Sequence, residues 1–178
     1  MLDVDRPAIE ALCSDILDVI PWHGLNCCEF NVPALCKRGW VAAPVALGLP
    51  PPSYLLNLCR KRAIASLHCF VLSGDPPPFI GDLYVIPATQ TGVMTDEFAI
   101  VAMCDSFITS EGLDFLAMNT TGDYGVVAGP LGIVEAYIDD TLANNEKEFR
   151  RCAEGSPEPQ DSLLKSVIQR YFKPIRGA

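Results

Sequence analysis

The sequence predicts an α+β domain, a curved antiparallel sheet of about five to six strands with helices packed mainly on one face. Three observations carry this. Apolar residues recur at helical spacing near both ends of the chain, and short apolar runs separated by Gly- and Pro-containing turns fill its middle. A length of 178 residues with 49% apolar content suits one domain with a core of its own.

Residues 5–20 read as an amphipathic helix, with Ile9, Leu12, Cys13, Ile16, Leu17 and Ile20 on one face. Asp5 is its N-cap, Pro7 sits in the first turn and Pro21 stops it. Residues 21–50, rich in Pro, Gly and Cys, read as an irregular covering segment anchored by Trp22, Phe30, Leu35 and Trp40. A second helix runs from Ser53 to about Ser66, with the cations Arg60, Lys61 and Arg62 in the half that suits the helix dipole.

Strand patterns follow. They are His68–Leu72, Ile80–Ile86, Phe98–Cys104, Leu113–Asn119, Tyr124–Val127 and Gly132–Ile138, with a tight Gly122-Asp123 turn joining neighbouring strands. Residues 141–153 form a helix with Leu142, Phe149 and Cys152 inward. A linker of about seven residues, near the usual loop length, leads to a last helix over 161–172.

Formal net charge is −9, and the densest basic run is only Arg60-Lys61-Arg62. Nucleic acid is a poor partner for such a chain, because phosphate neutralisation needs a basic stripe. A basic protein suits it, since opposite charge speeds encounter. No apolar stretch is long enough to span a bilayer, and the acidic opening Met1-Leu2-Asp3-Val4-Asp5 is unlike a secretory leader. The expected compartment is the cytoplasm, and the eight cysteines are expected to be reduced and mostly buried.

Chemistry-bearing patterns are few. Two histidines, His23 and His68, limit nucleophilic catalysis, and His68 and Cys69, adjacent in one strand, point to opposite faces. Neither a Gly-x-Ser-x-Gly elbow nor a Gly-x-x-x-x-Gly-Lys-Ser/Thr phosphate loop occurs. His23, Cys27, Cys28 and Cys36 have the residue types for zinc, but without paired Cys-x-x-Cys knuckles the leading reading is buried thiols and a surface histidine. No cofactor is expected. The carboxylate pairs Asp96-Glu97 and Asp139-Asp140 read as solvated turns and caps. The functional expectation is a non-catalytic binding module, with a thiol-dependent hydrolase as the least favoured alternative.

Three segments together resemble the SUKH superfamily, which includes the yeast cell-wall assembly regulator family. They are the Pro-rich helix entry Leu47-Gly48-Leu49-Pro50-Pro51-Pro52-Ser53-Tyr54, the strand Ile80-Gly81-Asp82-Leu83-Tyr84, and the hairpin from Phe115 through Gly122-Asp123-Tyr124. The last continues through Gly132–Tyr137 into the helix with Ala143, Glu148 and Phe149. The likeness covers roughly residues 45–153. It implies one SUKH-like domain over 1–178, with residues 1–45 as an N-terminal extension, 46–153 as the core and 160–172 as a closing helix. It also implies a binding scaffold, foremost an immunity protein that neutralises a cognate polymorphic toxin. The alternative is a betaherpesvirus-type protein that engages host factors or suppresses defence, in the host cytoplasm or nucleus. Acidic and aromatic residues near strand ends are the expected binding surface: Asp82, Tyr84, Asp123, Tyr124, Glu135, Tyr137, Asp139 and Asp140.

Overall fold

The computed structural model describes residues 5–22, 25–46, 52–72, 80–96, 98–99, 106–119, 124–157 and 160–172. Helix α1 (Arg6–Ile16) starts as its sequence dictates. The Asp5 carboxylate accepts from Ala8 N at 3.0 Å, Pro7 sits in the first turn, and Ile9, Leu12, Cys13 and Ile16 are buried. It ends earlier than the expected boundary near residue 20. Leu17 is already extended, and β1 (Leu17–Trp22) pairs antiparallel with β2 (Leu25–Phe30) in a separate two-stranded sheet. The β-branched pair Val19-Ile20 favours a strand once a partner is present.

The segment over 21–50 is more regular than its composition suggests. Helix α2 (Val32–Lys37) is capped by Asn31, whose side chain accepts from Ala34 N at 2.9 Å. Strand β3 (Val41–Ala46) follows, with Pro44 inside it. A proline is tolerated there because β3 is an edge strand.

The main sheet has the order β3-β8-β7-β6-β4-β5, every neighbour antiparallel. Its other strands are β4 (Ser66–Leu72), β5 (Ile80–Pro87), β6 (Ser106–Ser110), β7 (Leu116–Asn119) and β8 (Tyr124–Gly129). The expected α+β fold with an antiparallel sheet of about six strands is therefore present. Strands β7 and β8 are adjacent, with Asn119 opposite Gly125. The Gly122-Asp123 turn itself lies outside the described residues.

Two strand assignments are corrected. Asp96, Phe98 and Ala99 are helical, the remainder of 98–104 lies outside the described residues, and the strand that enters the sheet is Ser106–Ser110. Residues 132–138 belong to a helix, α4 (Leu131–Ile138), its label taken up after α3 (Pro52–Arg62). Ile133, Val134, Tyr137 and Ile138 are its buried positions, spaced at i, i+1, i+4 and i+5. That is a helical stripe written in residues of high strand propensity.

Helix α5 (Leu142–Glu154) buries Ala153 and exposes Cys152, so the inward position is one residue later than expected. Helix α6 (Gln160–Tyr171) packs on α5, where Phe149 meets Phe172 edge-on at 6.0 Å.

Every residue of β6, β7 and β8 is buried. Successive side chains point to opposite faces, so both faces of the sheet centre are covered. Helices α3 and α4 pack on each other over the face that carries Cys69, where Tyr137 stands 6.0 Å from Phe115. The β3 end receives α2, α4, α5 and α6. Both edges are blunted through one carbonyl: Asn145 Nδ2 donates to Pro44 O at 2.9 Å on β3, and Arg6 Nη2 to Gly81 O at 2.8 Å on β5.

Candidate protein-binding surface

The acidic residues come together at the junction of α4 and α5. Helix α4 ends on Asp139 in the left-handed conformation, φ 54°, one of the few non-glycine residues that adopt it readily. Thr141 then caps α5 by accepting from Asn144 N at 3.2 Å. Glu135 reaches forward, and its Oε1 accepts from Leu142 N at 3.1 Å. Asp140 Oδ1 accepts from Thr141 N at 2.6 Å and from Asn144 Nδ2 at 3.0 Å. Carboxylates are favoured here by the positive end of the α5 dipole.

These bonds divide the work. Glu135 is half-buried and occupied as a helix cap. Asp139 and Asp140 are exposed, held on a short turn between two packed helices. Lys61 Nζ stands 3.9 Å from Asp139 Oδ1, both side chains about half exposed, and such a pair contributes little.

The remaining expected positions do not join this surface. Tyr124 and Tyr137 are core residues at 6% and 1% exposure, so a partner meets neither ring. Burial pushes the Tyr137 phenol far above its usual range. Asp82 is exposed and Tyr84 half-buried on β5, the edge opposite β3. Four strand spacings separate β5 from β8, roughly 19 Å at ~4.8 Å each. Asp123 lies outside the described residues.

The zinc reading gains no geometry. Cys28 is buried and Cys36 exposed, while His23 and the Cys27 side chain lie outside the described residues. Among the described residues no group of three His, Cys, Asp or Glu could hold a metal ion.

Buried thiols have the wrong electrostatics for a nucleophile. Burial, helped by Cys28 and Glu10, pushes Cys13 up to about 12. Burial raises Cys69 to about 12 and Cys59 to about 11. His68 is held below its usual range by burial, against the opposing pull of Glu111. Ser66, on the same face as His68, donates to Glu111 Oε2 at 3.2 Å. Thr109, directly opposite His68, donates to Phe115 O at 2.5 Å, and Ser110 Oγ accepts from Asp114 N at 3.3 Å. The hydroxyls of β6 thus hold the turn into β7.

One feature went unforeseen, a cleft of about 440 Å³ where the C-terminal end of α3 meets the chain leaving β5. The only sequence signal for it was the cationic triplet over 60–62. No helix among the described residues is long and apolar enough to cross a membrane. Comparison with protein-family models, curated proteins and solved structures finds no match to this chain.

Proposed function

We propose that this chain is a non-catalytic module that binds a basic protein through the Asp139-Asp140 turn, acting as an immunity protein that neutralises a cognate toxin. The observation that carries the reading is the fixed acidic pair. Its side chains are exposed, its backbone is locked by two helix ends, and Asp140 is held by two hydrogen bonds. A preorganised pair loses little entropy on binding Arg or Lys, and carboxylate–guanidinium contacts are among the strongest polar ones. The net charge of −9 supports it by adding long-range attraction to a cationic partner. The raised thiols and the structural use of Ser66, Thr109 and Ser110 favour binding over hydrolysis.

The test is affinity capture with the wild-type chain and with Asp139→Lys/Asp140→Lys, the captured protein then being purified and its kinetics measured. The expected partner is basic, toxic when expressed alone and silenced by this chain. Its on-rate falls by about tenfold with the variant, and the difference shrinks at high salt because exposed charges are screened. A partner that binds both forms equally fast, with the same salt dependence, overturns the surface. A partner whose own activity is untouched overturns the immunity function.

A further inference from the structure

The triplet Arg60-Lys61-Arg62 is the densest cationic run in an acidic chain, and apart from the long Lys61–Asp139 contact the acidic surface makes no use of it. It closes α3. Ala63 then takes a left-handed backbone, φ 53°, and Ile64 N donates back to Cys59 O at 2.9 Å, so the chain turns sharply towards β4. The segment after β5 is tied to the same turn by Ala88 N donating to Ala65 O at 3.0 Å. Thr89 is fixed in turn, its Oγ1 accepting from Gly92 N at 3.1 Å.

The cleft between these segments, about 440 Å³ and open to solvent, falls within the ~300–1,000 Å³ typical of small-ligand sites. Leu56, Ile64 and Ala88 form its apolar side, and Arg60, Thr89 and Gln90 its polar rim. The charge on that rim is positive. Arg60 Nη1 donates to Asn57 Oδ1 at 3.1 Å, which orients the guanidinium. Among the described residues no carboxylate pairs with it, and a guanidinium carries four further N–H donors in a planar fork that matches a carboxylate.

We propose that this cleft binds a carboxylate carried on a short apolar group, the carboxylate on Arg60 and the apolar part against Leu56, Ile64 and Ala88. Free short-chain acids and the carboxy-terminus of a peptide ending in an aliphatic residue share this chemistry. The cleft adjoins the acidic turn through Lys61, which stands 3.9 Å from Asp139, but neither Asp139 nor Asp140 lines it, so neither proposal depends on the other.

The test is an NMR titration of the isotope-labelled full chain with hexanoate, N-acetylleucine and N-acetylleucinamide. Saturable shifts are expected at the amides of Arg60, Ile64, Thr89 and Gln90. The uncharged leucinamide should bind roughly tenfold or more weakly, the scale of a lost charge-assisted contact. Arg60→Gln should weaken the acids by a similar factor, and Ala88→Leu, which fills the cleft without changing charge, should weaken them too. Both variants are first checked for unchanged melting. Tighter binding of N-acetylleucine assigns the peptide terminus, tighter hexanoate the free acid, and either upholds the site. Shifts that do not saturate, that are equal for the amide, or that persist in Arg60→Gln overturn it.

Discussion

Glu29 shows how one side chain can tie two distant parts of the chain together. It lies on β2, mostly buried, and pairs with Arg170 Nε in the last turn of α6, while the neighbouring Tyr171 hydroxyl accepts from Phe30 N at 3.2 Å. Burial raises the Glu29 carboxyl above its usual range, with Arg170 pulling it back and Asp18 pushing it up. A raised carboxyl favours the native state only while protonated. Its contribution is therefore full below the unfolded value near 4.5 and is lost as pH rises through the folded one. Removing Arg170 takes away the opposing charge. Arg170→Ala should cost about 1–2 kcal/mol near neutrality, discounted from a fully buried pair because Arg170 is about one-third exposed. The gap to wild type should narrow towards pH 4, and adding Glu29→Gln should restore part of it. Urea midpoints across pH check this, and a gap constant with pH would mean that Arg170 acts through packing alone. None of this pairing was legible in the sequence. Glu29 and Arg170 are 141 positions apart, and nothing local marks either as buried.

At the scale of elements, what could be read and what could not divides along local and tertiary causes. Asp5 and Pro7 announce α1 by capping chemistry that needs only neighbouring residues, and the structure uses them that way. The strands at His68 and Ile80 were legible from bounded β-branched and aromatic runs. Helix α4 was not, because Ile133, Val134 and Tyr137 have strand propensities, and packing over Phe115 and against α3 decides the outcome. Strand β3 was hidden by Pro44, whose meaning depends on the strand being an edge. The acidic junction was half legible. Asp139 and Asp140 could be chosen as turn residues, but the cap role of Glu135 depends on α4 being a helix that delivers it to Leu142 N. Glu135→Ala and Thr141→Ala should each lower stability by about 1 kcal/mol, the usual loss for a missing cap. Urea unfolding with an unchanged slope measures it. Glu135→Ala in the folded protein should also leave the affinity for a basic partner as it was, unlike charge reversal at Asp139 and Asp140. Weakened binding without loss of stability would return Glu135 to the binding surface.

Over the whole molecule, the arrangement of thiols offers a test of the core as a unit. The chain has eight cysteines. Of those described, Cys13, Cys28, Cys59 and Cys69 are buried, on α1, β2, α3 and β4, and Cys36 and Cys152 are exposed. The four buried thiols sit in one continuous apolar cluster that joins the N-terminal hairpin to the main sheet. Their reactivity is suppressed twice over. The thiolate is the reacting form, and burial holds Cys13, Cys59 and Cys69 well above the ordinary thiol range. The reagent must also wait for the cluster to open. A disulfide-exchange reagent added to the native protein should therefore react promptly with Cys36 and Cys152 and with no more than four thiols in all, whereas denatured protein should give eight. The slow phase carries the further information. If hairpin and sheet form one cooperative unit, Cys13 and Cys28 should be labelled at the same rate as Cys59 and Cys69, and in parallel with global unfolding as denaturant rises. Peptide mapping of quenched time points resolves the four sites. Earlier labelling of Cys13 and Cys28 would show instead that the hairpin and α1 open separately, leaving the six-stranded sheet with α3 as the more stable unit.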